Sequence, residues 1–476
     1  MKSALFFLLT FSLFLSPLLS QTAGDYRSAS TGNWAGTTTW ETFNGTAWIA
    51  TATAPTTANG AINIRNTHTV TIPTATTVSF DQLTIDVGGT LSNAGTSSVT
   101  VANGTGTDLV INGTYYEDGT GSITFTGTWS FGANGTLIKT RGSASNNWQA
   151  AYEGGSVNIP ASSNWILRKV AAANPSISTI GAYYGNLTIE NNNAGLWTVP
   201  AASSFQGAGG FPTIKGNLDI GGSGTSTVSF INQHTNANPT LVLGNVLVRT
   251  GNTFQNNGTG LEIQGNLTVN GTISYDANDG RNLNFTGGNA QTITNTGTLG
   301  IYNFTINKPA NTLTLNSPVT VDNNATFTNG IINSNLTNLF ILNTAATVTS
   351  ANNNSFVNGP VRYLGSSVLT YPVGKASSYR PIITGLGASG SFWTEPFNST
   401  CTSNCQLATY SGPNGSWTFT NTGTNGASAN NWYISGSECG NAAGTCGSAC
   451  GSTDASLYMS AVLLNGGLGA AYNATG

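Results

Sequence analysis

Apolar and polar residues alternate along much of this chain, in short stretches separated by turn-forming residues. Ala61-Ile62-Asn63-Ile64-Arg65, Thr69-Val70-Thr71-Ile72 and Leu83-Thr84-Ile85-Asp86-Val87 are examples. A period of two places every second side chain on one face, so each stretch predicts a strand with one buried side. Asn59-Gly60, Gly88-Gly89 and Asn112-Gly113 lie between such stretches and predict turns. Helical periodicity is almost absent after residue 20, and the fold class expected is all-β.

A phrase of the form Gly-x-Leu-x-Val/Ile recurs within this pattern. It stands at Gly185-Asn186-Leu187-Thr188-Ile189, Gly216-Asn217-Leu218-Asp219-Ile220 and Gly265-Asn266-Leu267-Thr268-Val269, with a variant at Gly244-Asn245-Val246-Leu247-Val248 and a glycine-free echo at Tyr302-Asn303-Phe304-Thr305-Ile306. Its third residues, 187, 218, 246, 267 and 304, are separated by 31, 28, 21 and 37 residues. Repeats of roughly 20 to 30 residues mark solenoid coils, so a right-handed parallel β-helix is expected. The longest step is expected to hide a further coil or a protruding loop. Asp108–Gly113, Ser122–Phe125 and Thr312–Leu315 extend the pattern to either side. In such a coil the Leu and Val/Ile positions stack on their counterparts above and below, while Asn and Gly turn the corners. The abundant Thr and Asn are read first as hydrogen-bonded ladders between coils. A regular Thr array on a flat face would be the alternative, a surface for ice or a glycan.

Lys2, the apolar run Ala4 to Leu19 and the small residue Ser20 have the layout of a secretory signal peptide cleaved before Gln21. Residues 21–102 are read as an N-terminal cap with the first strands, and Trp34, Trp40 and Trp48 as its packing; a carbohydrate platform of exposed tryptophans is the sharper alternative. Residues 103–350 are assigned to the coils and 351–397 to a closing β element containing Pro360, Pro372 and Pro381. Residues 398–476 are read as the beginning of a β-sandwich-like, disulfide-bearing module.

Charge changes the picture by exclusion. Charged residues are 7% of the chain and net charge is −3, against about 25% charged residues in ordinary soluble domains. No basic stripe is present for nucleic acid. Disorder is disfavoured too, because it combines low hydrophobicity with high net charge. No later run is apolar and long enough to span a bilayer as a helix once the signal is removed.

Candidate chemistry is sparse. Cys401, Cys405, Cys439, Cys446 and Cys450 lack neighbouring histidines and, in an exported chain, are read as disulfide partners rather than metal ligands. Their odd number is expected to reflect a partner downstream, on the expectation that the module continues past Gly476. If the chain is an enzyme, a polysaccharide lyase or glycoside hydrolase on a β-helix scaffold, its residues are Asp276, Asp279 and Arg281, the densest charge cluster. Their Asp-x-Asn-Asp-Gly run is one residue short of a calcium-loop spacing, so a polar turn is favoured and no cofactor is expected, calcium being the one alternative. Glu117 and Asp118 are adjacent and on a strand would face opposite ways. His68 and His234 stand apart from any nucleophile motif and are read as structural or solvated.

Several phrases resemble the large secreted and surface proteins of the Bacteroidota exported by the type IX pathway. They are Gln21–Ser28 with Gly32-Asn33-Trp34, His68–Ile72, the Gly-Asn-Leu-Thr-Val coils, Phe356–Pro360 with Tyr371–Lys375, and Glu438–Gly444. The resemblance implies a secreted or outer-surface location, contact with the secretion machinery, and an adhesin-like, non-enzymatic role against polysaccharide, matrix or cell-surface glycan. Ligand-binding residues carry no local motif.

Overall fold

The structure, a computed structural model, describes residues 21–140, 159–172, 175, 183–199, 213–232, 239–276 and 282–384, together with short strands at Thr409–Gly412, Gly415–Thr418, Asn431–Ser435 and Ser456–Ser460. The chain divides into two compact units, Met1–Leu386 and Gly387–Gly476. In the second, Thr409–Gly412 pairs antiparallel with Gly415–Thr418, and Asn431–Ser435 with Ser456–Ser460. The five cysteines lie outside the described residues.

The first unit is a parallel β-helix of about 11 turns, with no helix among the described residues. Parallel crossovers of this kind are right-handed because twisted strands pack back on themselves only that way. A fully described coil has three faces, usually one strand to each. Thr240–Val242, Val246–Val248 and Thr253–Asn256 form one coil, and each pairs in parallel with its counterpart in the next: Leu261–Ile263, Leu267–Val269 and Thr272–Ser274. These three positions define a first, second and third face.

The recurrent phrase occupies the second face. Its inward residues run in one lateral register from Val70 through Leu91, Tyr115, Leu137, Trp165, Leu187, Leu218, Val246, Leu267 and Ile293 to Leu315. All are buried. Fully burying one such side chain stabilises by about 1.5 to 3 kcal/mol, and a single coil has no partner surface for it. The long step is resolved here: Leu267 is followed by Ile293, whereas Phe304 stacks on Leu283 in the first face. The echo at Tyr302–Ile306 therefore belongs to a different column, because alternation marks a buried face without saying which of three.

The phrase also explains its own Gly-Asn. Gly216 donates its N–H to the carbonyl of Gly185 at 2.9 Å, Gly244 to Gly216 at 2.9 Å, and Gly265 to Gly244 at 3.0 Å. Beside this ladder, the Asn186 Oδ1 accepts the N–H of Asn217 at 2.9 Å, Asn217 Oδ1 that of Asn245 at 2.8 Å, Asn245 Oδ1 that of Asn266 at 2.8 Å, and Asn266 Oδ1 that of Thr292 at 2.9 Å. Corner backbone that the strands leave unpaired is satisfied by one side chain per coil.

Both ends of the first unit depart from parallel pairing. Tyr26–Ser28 pairs parallel with Ile62–Ile64 but antiparallel with Trp40–Phe43, which pairs antiparallel with Trp48–Thr51. Trp34 and Trp40 are buried, T-shaped to each other at 5.1 Å, and Trp34 stacks on Phe80. Trp48 is half-exposed on the outer strand of that hairpin. At the other end, Val373–Lys375 adds in parallel to Ser355–Asn358 and then turns antiparallel into Ser378–Tyr379.

One corner holds a buried lysine. Lys308 is 1% exposed, and its Nζ donates to the carbonyls of Gly287 at 2.5 Å and Asn289 at 2.8 Å and to Gln291 Oε1 at 2.5 Å. Gln291 passes the link on through Nε2 to the carbonyls of Ile263 and Gly265. Burial lowers the lysine's pKa from 10.5 to about 8. Between those values the unfolded chain binds more protons than the folded one, so this contribution to stability rises with pH; below about 8 both states are protonated and the burial cost is fully present. Chemical denaturation of the native chain and Lys308→Met at a series of pH values should show the difference moving toward the native chain by up to about 3 kcal/mol across that window. A difference that stays flat would contradict the assignment.

Candidate glycan-contacting faces and an end groove

Outward positions inherit the coil register as strictly as inward ones. On the first face, Asn282, Asn303, Asn324 and Thr347 form one rank, and Asn284, Thr305, Thr326 and Thr349 a second. The third face carries Thr198, Ser229, Thr253, Thr272 and Thr298 in one rank. Neighbouring members repeat at the strand spacing of about 4.8 Å. The first-face ranks are cross-linked: Thr326 and Thr349 hydroxyls lie 3.1 Å apart, Asn324 Nδ2 donates to Thr326 Oγ1 at 2.8 Å, and Thr347 Oγ1 donates to Asn324 Oδ1 at 2.8 Å. These bonds fix Asn324, Thr326, Thr347 and Thr349 in place on a surface that carries no charge over these four coils; Glu262 heads the second rank one coil earlier.

The predicted charge cluster is only partly visible. Asp276 is exposed two residues beyond the third-face strand Thr272–Ser274, and its N–H donates to Asn257 Oδ1 at 2.9 Å; Asp279 and Arg281 lie outside the described residues. The neighbouring Tyr275 donates its hydroxyl to Asp322 Oδ2 at 2.5 Å, and Asn343 Nδ2 donates to Asp322 Oδ1 at 2.6 Å. Both oxygens of Asp322 are thus engaged, one by the next coil and one by a tyrosine two coils back.

Glu117 and Asp118 do face opposite ways. Glu117 points into the solenoid, 3.7 Å from Lys139 Nζ, and stacks between Asn93 and Lys139 in one inward rank. Burial, with Glu117 beside it, pushes the pKa of Tyr115 well above 10.0, opposed by a hydrogen bond with Asn93. His68 shares a hydrogen bond with the buried Ser28 through Nδ1 at 2.8 Å, a structural position, and His234 lies outside the described residues. Among the described residues no group of three or more His, Cys, Asp and Glu is placed to hold a metal ion, and no helix is long and apolar enough to cross a membrane.

A groove of about 590 Å³ opens beside Trp48. The terminal hairpin and the first two coils build it, with Arg27, Asn63, Arg65, Gln82 and Asp86 among its walls. Arg27 Nε donates to Glu41 Oε2 at 2.7 Å, and its guanidinium lies 4.4 Å from the Trp48 ring centre, so it is held from two sides. Arg65 is fixed through Nε to the Ser28 carbonyl at 2.6 Å and has no carboxylate within ion-pair distance among the described residues. Asn63 Nδ2 donates to Asp86 Oδ1 at 3.1 Å, leaving its buried Oδ1 without a donor. Sequence reasoning missed this site because four separate segments contribute to it. The signal available was alternation itself, which puts Asn63 and Arg65 on the outward side of their strand.

A second cavity, about 570 Å³, lies at the closing end and is lined mainly by apolar and backbone groups around Pro360, Val361, Tyr371 and Ile382. No protein-family model, no curated protein and no solved structure matches the chain. The fold defines its class: it is a parallel β-solenoid.

Proposed function

We propose that this chain is a secreted or outer-surface structural protein, adhesin-like and non-enzymatic, whose side faces hold neutral polysaccharide, matrix or cell-surface glycan. The observation that supports the reading is the pair of uncharged Asn/Thr ranks running over four consecutive coils of the first face. A sugar hydroxyl both donates and accepts, and so do Thr and Asn side chains. Each such bond contributes only about 0.5 to 1.5 kcal/mol net, and repetition along the axis makes the contacts multivalent. The Bacteroidota resemblance adds export by the type IX route.

The test is retention on insoluble neutral polysaccharides. Thr305→Glu with Thr326→Glu places two carboxylates in the centre of the face without touching the core. Retention should fall about tenfold or more, the equivalent of about 1.4 kcal/mol or more, with the melting temperature little changed. Unchanged retention would remove the face from the account.

A further inference from the structure

We propose that the groove beside Trp48 binds a carboxylate-bearing sugar residue, of the uronic acid type. This site goes beyond the side faces and stands on separate residues. Arg65 is anchored by Nε alone, so its two terminal nitrogens remain as a fork for a carboxylate, and it meets no carboxylate of its own among the described residues. The groove walls call for a sugar rather than a simple anion. Arg65 offers donors, whereas the Asp86 carboxylate beside Asn63 only accepts and lines the same groove. A ligand that meets both must bring an anionic fork and a hydroxyl donor in one small body, and a uronate ring carries both. Phosphate at neutral pH offers mainly acceptors and would be repelled by Asp86.

Arg27 adds a second preorganised donor. The Trp48 ring and Glu41 hold it, so little side-chain freedom is lost when a ligand arrives. Gln82 and Asp86 complete a wall able to meet ring hydroxyls with a donor or an acceptor. Asp25 and Asp86, both in the lining, also disfavour densely charged anions, which fits one carboxylate per site.

The experiment is calorimetric titration of the protein with glucuronate, galacturonate and mannuronate trimers, each beside the neutral trisaccharide of the same linkage, with inorganic phosphate as a further probe. At least one uronate should bind, tenfold or more tighter than its neutral counterpart, and weaken as salt is raised. Arg65→Gln should lower that affinity tenfold or more. Asn63→Asp, which leaves Arg65 in place but adds a third carboxylate to Asp25 and Asp86, should do the same. Failure of every uronate to bind, equal binding of the neutral sugars, tighter binding of phosphate, or indifference to both substitutions would overturn the proposal. None of these results bears on retention by the side face, which is read with neutral polymers and different variants.

Discussion

Gly244→Val is expected to be among the most disruptive single changes in the solenoid. A Cβ at this position would overlap the carbonyl oxygen and carbon of Gly216 in the preceding coil. That carbonyl cannot withdraw, because it accepts the Gly244 N–H in the corner ladder. Its neighbours are equally fixed, since Asn217 Oδ1 holds the next backbone N–H at 2.8 Å. Relief therefore requires the two coils to part, and the cost should reach about 3 kcal/mol. Because coils are stabilised by their immediate neighbours, the damage should be local. Hydrogen exchange should accelerate at residues 216–220 and 244–248 before it does near the ends. Gly106→Ala is the control: that glycine has φ +86 with open space around it, so only left-handed strain of about 1 to 2 kcal/mol applies. Equal effects of the two substitutions would mean that the corner is not close-packed as described.

Trp40→Ala is expected to have an effect of similar size by a different route. The ring is fully buried between Tyr26 and Trp34, and its Nε1 donates to the Trp34 carbonyl at 2.7 Å. Removing it leaves a cavity and an unpaired carbonyl, a loss of about 3 to 5 kcal/mol for a large aromatic. The consequence differs from that of a mid-coil defect. The strand Trp40–Phe43 lies on the outer edge of Tyr26–Ser28, and loosening it exposes sheet edge that can pair with another molecule. A lower melting temperature should therefore come with concentration-dependent light scattering. A monomer that simply melts earlier would show that these residues stabilise the end without guarding it.

These two sites also show what the sequence could and could not reveal. The Gly-Asn-Leu phrase identified the second face, since a corner glycine, a laddering asparagine and an inward leucine are local consequences of coiling. The three-strand coil was less legible. First- and third-face strands such as Asn282–Phe285 and Val228–Asn232 alternate in the same way but lack the corner phrase, so Phe304 could be placed in the wrong column. Lys308 gave no signal either, because its partners are mostly backbone carbonyls from a coil about twenty residues earlier. The end groove needed Arg27, Asn63, Arg65 and Asp86 to be brought together by stacking. Trp34 and Trp40 pack into the end as tryptophans usually do, whereas Trp48, on the outer strand of the hairpin, lies half-exposed over Arg27.

The central claim is that the coils form a scaffold whose uncharged faces hold glycan without transforming it. Its most direct test is to incubate the protein with insoluble neutral polysaccharides and, in the same samples, measure bound protein together with released reducing ends and unsaturated sugars. The account predicts retention that survives high salt and no soluble product. Release of product, or absence of retention on every polymer tried, would contradict it.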